Sequence, residues 1–132
     1  MIALVLVACS DGSPTDDAAY LYVSTVEPLL MQRCVACHSP ADTSLLVCSC
    51  QLDLSGHLTK PMINVLSTQS TAMDYIEPGD HLYSYLWHKL NGTQSIADGS
   101  GTSMPLGGVL TEMEIDAVAD WIDAGALVGA PE

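Results

Sequence analysis

The run Cys34-Val35-Ala36-Cys37-His38 constrains this chain more than any other stretch. It spells C-x-x-C-H, the attachment signature of c-type haem. Two thiols three positions apart can add to the two vinyl groups of one porphyrin edge. The histidine directly after the second cysteine is then held beneath the ring with a nitrogen aimed at the iron. A zinc site would want a second matching cysteine or histidine pair, and a thioredoxin-like redox motif would sit in a βαβ pattern. A chain that folds around one covalent haem (haem c) gains a large apolar plate for its core.

The chain has 132 residues, which is room for one domain. Nearly half of its residues are apolar and 14% are charged, the balance of a globular chain. The formal net charge is −13, from 16 acids against three bases, Arg33, Lys60 and Lys89. Such a surface repels nucleic acid and anionic lipid head groups. It suits a basic protein partner, or it serves solubility alone. Covalent haem attachment and cysteine retention both point to an exported, oxidising compartment.

Residues 1–8 are entirely apolar and far shorter than the roughly 20 residues that span a bilayer. They read as a signal-peptide remnant. Leu6-Val7-Ala8-Cys9 resembles the bacterial lipobox, in which cleavage frees a cysteine that carries lipid; the alternative is an ordinary Cys9 after a hydrophobic strand. Residues 9–19 then form the lipobox cysteine and a flexible tether, polar and containing Gly and Pro over 10–17. The domain proper covers residues 20–132.

Within it, Ser24-Thr25-Val26-Glu27 reads as an S-x-x-E capping box, with Pro28 in the first turn. A helix should run from there into the cysteine motif, with Val26, Leu29 and Leu30 at helical spacing. Leu52, Leu54 and Leu58 should supply apolar packing near the haem edge, around a turn at Ser55-Gly56, and residues 62–66 read as a short helix. Glu77-Pro78-Gly79-Asp80 reads as a turn. Asp80 should cap a helix over 82–90, closed by Asn91-Gly92, with Leu82, Tyr85, Leu86, Lys89 and Leu90 on one face. Residues 94–103 are rich in Gly, Ser and Thr and read as loop. Thr111-Glu112-Met113-Glu114 is a second capping box, opening a helix over 112–124 whose core face is Ile115, Val118, Ala119 and Ile122, with Gly125 as the C-terminal cap. No strand shows clean alternation.

The second axial ligand decides the chemistry, because a strong sixth ligand favours electron transfer and an open position invites oxygen or peroxide. The candidates are Met31, Met62, Met73, Met104 and Met113, with His57, His81 and His88. Met31 and Met113 sit at helical packing positions and read as core. Met104 sits in a Gly/Ser loop with Pro105 behind it, between the haem motif and the last helix. The three histidines read more naturally as surface or helix-face residues.

In this order, Cys34-Val35-Ala36-Cys37-His38, Met104-Pro105 and a closing helix containing Trp121-Ile122-Asp123-Ala124-Gly125-Ala126 make the chain resemble the class I c-type cytochromes over most of residues 24–128. Leu52-Asp53-Leu54-Ser55 and residues 78–84 also look like bacterial monohaem cytochrome domains. The resemblance implies an all-α fold in which the N- and C-terminal helices cross beside a covalently bound haem, pairing the Leu29/Leu30 face with the Ile115/Val118/Ile122 face. It implies His38 and Met104 as iron ligands and a one-electron carrier rather than an enzyme. Trp87, Trp121 and the five tyrosines would pack around the porphyrin or cap its propionates, and Arg33 could pair with a propionate.

The stretch from His38 to Met104 is long and polar for a minimal domain of this kind, and it holds Cys48 and Cys50. These two can close a small disulfide in a tight bend, stay free, or bridge to another subunit; the local disulfide is favoured. The expected setting is the periplasmic side of a bacterial membrane or the cell surface, lipid-anchored, with redox protein partners bearing basic docking surfaces. The rivals are a permanent haem-bearing subunit of a larger membrane redox complex, and a haem enzyme or sensor with an open iron.

Overall fold

The structure is a computed structural model that describes residues 14–39, 52–54, 62–70 and 72–129. Helix α1 spans Pro14–Leu21 and passes through a π-helical turn over Tyr22–Val26 into α2, Glu27–Arg33. Proline suits a helix start, because the N–H it lacks would find no intrahelical partner there. The helix therefore begins upstream of the expected capping box. Ser24 and Thr25 bond each other's hydroxyls at 3.2 Å on the surface instead of capping anything. Residues 14–19, expected in the tether, lie in α1, and Ala18 and Ala19 are buried.

Burial explains this outcome. Ala18, Tyr22, Val26 and Leu30 form a buried stripe at spacing four. In a regular helix each such step overshoots a full turn by about 40°. The wider π turn, closed by a bond from the Glu27 N–H to the Tyr22 carbonyl, takes up that drift and keeps the stripe on one side. It lies just before Pro28, which has no N–H to give to the ladder.

Helix α3 spans Tyr85–Asn91 and α4 spans Glu112–Asp123. The capping box of α4 forms as its sequence predicts: the Glu114 N–H donates to Thr111 Oγ1 at 3.3 Å and the Thr111 N–H donates to Glu114 Oε2 at 2.7 Å. At the other end Gly125, at φ +110°, lets its own N–H reach the Ile122 carbonyl and that of Ala126 reach Trp121, both at 2.9 Å. Val118, Ala119, Trp121 and Ile122 are buried.

Helix α4 packs on α1, the π turn and α3. Trp121 meets Tyr22 with ring centroids 5.4 Å apart and donates its Nε1 hydrogen to the Leu127 carbonyl at 2.9 Å. The first and last helices thus pack together, but through residues upstream of the expected Leu29/Leu30 face. Leu29 and Leu30 remain part of the same core.

Between α2 and α3 the backbone is irregular. The turn over 77–80 forms, with the Asp80 N–H on the Glu77 carbonyl at 3.1 Å, and it docks on α4 through the Gly79 N–H and Ile122 carbonyl at 2.7 Å. Asp80 Oδ1 accepts from Leu82 and Tyr83, so it caps a 3₁₀ turn over His81–Tyr83 and not α3 itself. Leu82 consequently leaves the predicted face and is exposed. The expected short helix over 62–66 is replaced by isolated bridges, Ile63 to Ile76 and Leu66 to Asp74, with Asn64 at φ +56°. β-Branched Ile63 and Val65 suit extended backbone, and asparagine tolerates the left-handed position. Among the described residues regular structure is helical with isolated bridges and no strand, which agrees with an all-α chain. No helix among them is long and apolar enough to cross a membrane.

Candidate haem-attachment site

Helix α2 delivers the cysteine motif into a turn. The N–H groups of Cys34 and Val35 both bond the Leu30 carbonyl, at 2.9 and 3.1 Å, ending the helix. Those of Cys37 and His38 return to the Cys34 carbonyl at 3.1 and 2.9 Å. The turn separates the two thiols by environment. Cys34 is buried in the apolar core, and burial pushes its thiol up to about 11, against the pull of the neighbouring Arg33 charge. Cys37 is exposed, and both cysteines are free thiols.

His38 is only 9% exposed. Its Nδ1 lies 3.2 Å from the Leu52 carbonyl oxygen, and its own carbonyl accepts from the Leu54 N–H at 2.8 Å. A carbonyl can only accept, so Nδ1 carries the proton in this contact. That tautomer leaves Nε2 as a lone-pair donor, and Nε2 makes no hydrogen bond to a described residue. Leu54 is buried in the core and Leu52 packs on it, with the Leu52 carbonyl against the His38 ring.

Met104 is half-buried and packs on the core that contains Cys34 and Leu54. Its N–H donates to the Lys89 carbonyl at 2.8 Å, and the Met104–Pro105 peptide is cis. Lys89 is buried, which lowers its pKa, and its ammonium donates to the Ser100 carbonyl at 3.1 Å.

The rival ligands fare differently. His88 has both ring nitrogens engaged, Nδ1 with Thr93 Oγ1 at 2.8 Å and Nε2 with the Leu82 carbonyl at 2.9 Å. His81 holds the Asp123 carboxylate at 2.8 Å through Nδ1. Met31 and Met113, expected in the core, are 50% and 81% exposed: Met31 lies off the Leu29/Leu30 side of α2, and Met113 shares the outer side of α4 with Glu112 and Asp116. Met62 is buried in the core and Met73 is half-buried. His57, Leu58, Cys9, Cys48, Cys50 and the turn at Ser55-Gly56 lie outside the described residues.

Arg33 donates to the Val109 carbonyl at 3.3 Å and pairs with Glu114 at 3.7 Å. Trp121 and Tyr22 are core residues, Trp87 sits edge-on between His81 and His88, and Tyr20 and Tyr83 stand exposed. Among the described residues no three His, Cys, Asp or Glu side chains gather as a metal cluster.

The residues present fit a covalent haem by their donor chemistry. A neutral thioether suits the apolar setting of Cys34 better than a thiolate would. An anchored imidazole whose Nε2 bonds no described residue suits iron ligation. Sequence reasoning missed the Leu52 carbonyl and the Lys89 anchor of Met104; both act through main-chain atoms, which residue identity does not report. Comparison with protein-family models, with curated proteins and with solved structures finds no match.

Proposed function

We propose that the chain is a monohaem c-type cytochrome domain of class I architecture that carries single electrons. Cys34 and Cys37 would hold the porphyrin, and His38 and Met104 would ligate the iron. Haem c supplies the Fe(III)/Fe(II) couple when bound. The observation that supports this reading most is the orientation of His38: directly after two free thiols, its Nδ1 is tied to the Leu52 carbonyl and its Nε2 bonds none of the described residues.

The chain's own residues have definite tasks in this reading. The Leu52 carbonyl fixes the imidazole plane and raises its basicity through the Nδ1–H bond. The Cys34 side of the turn brings apolar surface, which excludes water and lowers the local dielectric. Thioether sulfur from Met104 would favour the ferrous state and so raise the potential. Holding both ligands in both oxidation states would keep reorganisation small, which suits a carrier. Lipid anchoring at Cys9, on the exported side of a bacterial membrane, belongs to the same proposal, as do redox protein partners.

The test is the absorption spectrum of the ferric protein matured with the c-haem export machinery, as wild type and as Met104→Ala. A weak far-red sulfur-to-iron band in wild type that is lost in the variant supports the ligand pair. Absence of the band in wild type, or its survival in the variant, rejects Met104 and brings forward an open or histidine-ligated iron.

A further inference from the structure

The segment that carries Met104 is strapped to α3 at two points. At its end the Met104 N–H bonds the Lys89 carbonyl at 2.8 Å. Four residues earlier, the Ser100 carbonyl accepts from two buried side chains, Tyr85 Oη at 2.9 Å and Lys89 Nζ at 3.1 Å. Tyr85 and Lys89 are four apart on α3 and therefore share a face. The outer side of the strap is held by bonds from the Ser100 N–H to the Gln69 carbonyl at 3.1 Å and from Gln94 Nε2 to the Gly101 carbonyl at 3.3 Å. Gly99 lies so close to the Tyr85 ring that any side chain there would collide with it.

Lys89 is the unusual member. It is one of three basic residues in the chain, it is 8% exposed, and no carboxylate of a described residue forms an ion pair with it. A buried ammonium is costly unless its hydrogen bonds are used. Here one is spent on a loop carbonyl rather than on a countercharge.

We propose that Lys89 and Tyr85 are positioning residues that clamp the strap at Ser100 and thereby hold Met104 in place as the iron ligand. This rests on the haem reading above. Only three residues, Gly101, Thr102 and Ser103, lie between Ser100 and Met104, so fixing Ser100 leaves the methionine little room to swing away. Neither side chain need touch the haem; both act through the Ser100 carbonyl.

The test uses the haem-loaded full chain and imidazole as the probe, since imidazole reaches a ferric iron only when the methionine sulfur leaves it. Lys89→Met keeps the apolar stem and deletes the ammonium. Tyr85→Phe keeps the ring and deletes the hydroxyl, and it covers the case in which Lys89→Met does not fold. A hydrogen bond to a charged group corresponds to roughly tenfold or more in an equilibrium, so Lys89→Met should bind imidazole about tenfold faster than wild type. Tyr85→Phe should do so several-fold faster, and Lys89→Arg should stay near wild type. Wild-type imidazole kinetics in both Lys89→Met and Tyr85→Phe, with the far-red sulfur band intact, would overturn the clamp and leave the haem reading standing. Absence of that band from wild type would overturn the methionine ligation itself, and the clamp with it.

Discussion

At the scale of single residues, the cysteine motif places two identical thiols in opposite surroundings. Cys34 faces apolar core and its thiol is held near 11, while the ordinary value is 9.0; Cys37 meets solvent. Two units of pKa leave Cys34 with a thiolate fraction roughly 100-fold below that of an ordinary thiol at neutral pH, and the thiolate is the nucleophile. In the haem-free chain, iodoacetamide should therefore label Cys37 much faster than Cys34, as read by peptide mass spectrometry; equal labelling would contradict the burial. The raised value also links to stability. From pH 9 to about 11 the unfolded chain releases the Cys34 proton and the folded chain keeps it. Folding stability owed to this group is thus complete below pH 9 and is lost as pH rises toward 11. Cys34→Ala should flatten that alkaline limb in denaturant titrations of the haem-free chain. Cys34, Cys37 and His38 stand out in five consecutive letters because the C-x-x-C-H spacing is local to the sequence. The Leu52 carbonyl was not, since every residue has one and only the fold selects which is used. Met31 and Met113 misled for a related reason: a short amphipathic run admits more than one face, and the neighbouring element decides which is buried.

At the scale of elements, two capping boxes with nearly the same letters had different fates. Thr111-x-x-Glu114 follows a stretch with Gly107 and Gly108, nothing upstream competes, and the reciprocal bonds form. Ser24-x-x-Glu27 follows Ala18-Ala19-Tyr20-Leu21, whose helix runs through it because Ala18, Tyr22 and Val26 are buried against α4. Local chemistry thus predicted α4 and the Gly92 and Gly125 ends of α3 and α4 well. It missed the start of the first helix and the extended pairing of Ile63 with Ile76, which tertiary burial and long-range partners control. Removing the working cap by Thr111→Ala should cost about 1 kcal/mol in chemical denaturation. The partner carboxyl adds a pH dependence. The hydrogen bond from the Thr111 backbone, with lesser help from the Thr111 hydroxyl and the Arg33 charge, holds the Glu114 carboxyl below the usual carboxylate range. Its contribution is therefore present above the unfolded value of about 4.5 and disappears as pH falls through the folded value. Glu114→Gln should lose that acid-side dependence; an unchanged acid limb would show that the box contributes nothing to it.

At the scale of the whole molecule, the charge imbalance is sharper than the count of bases implies. Of the basic residues described, Lys89 is buried and Arg33 is paired with Glu114. Exposed carboxylates meanwhile line the outer side of α4, at Glu112, Asp116 and Asp120. The loop that leads into α4 carries Leu106 and Val109, 61% and 83% exposed, and bounds a shallow groove with Thr102, Ser103 and Pro105. Arg33, the residue before Cys34, reaches the Val109 carbonyl, so this apolar and acidic surface adjoins the C-x-x-C-H segment. For a haem carrier, an electron partner that docks here would need a basic surface, and the encounter would be steered by long-range attraction. Such steering fades once the Debye length falls below the separation of the charges. The rate of electron transfer to a basic redox protein, followed by stopped flow, should therefore fall at least tenfold between about 10 mM and about 0.5 M salt. Reversing Glu112, Asp116 and Asp120 to lysine should slow the low-salt reaction by a similar factor and leave the high-salt rate nearly unchanged, because only the screened component is removed. A low-salt rate indifferent to both treatments would assign the acidic surface to solubility alone.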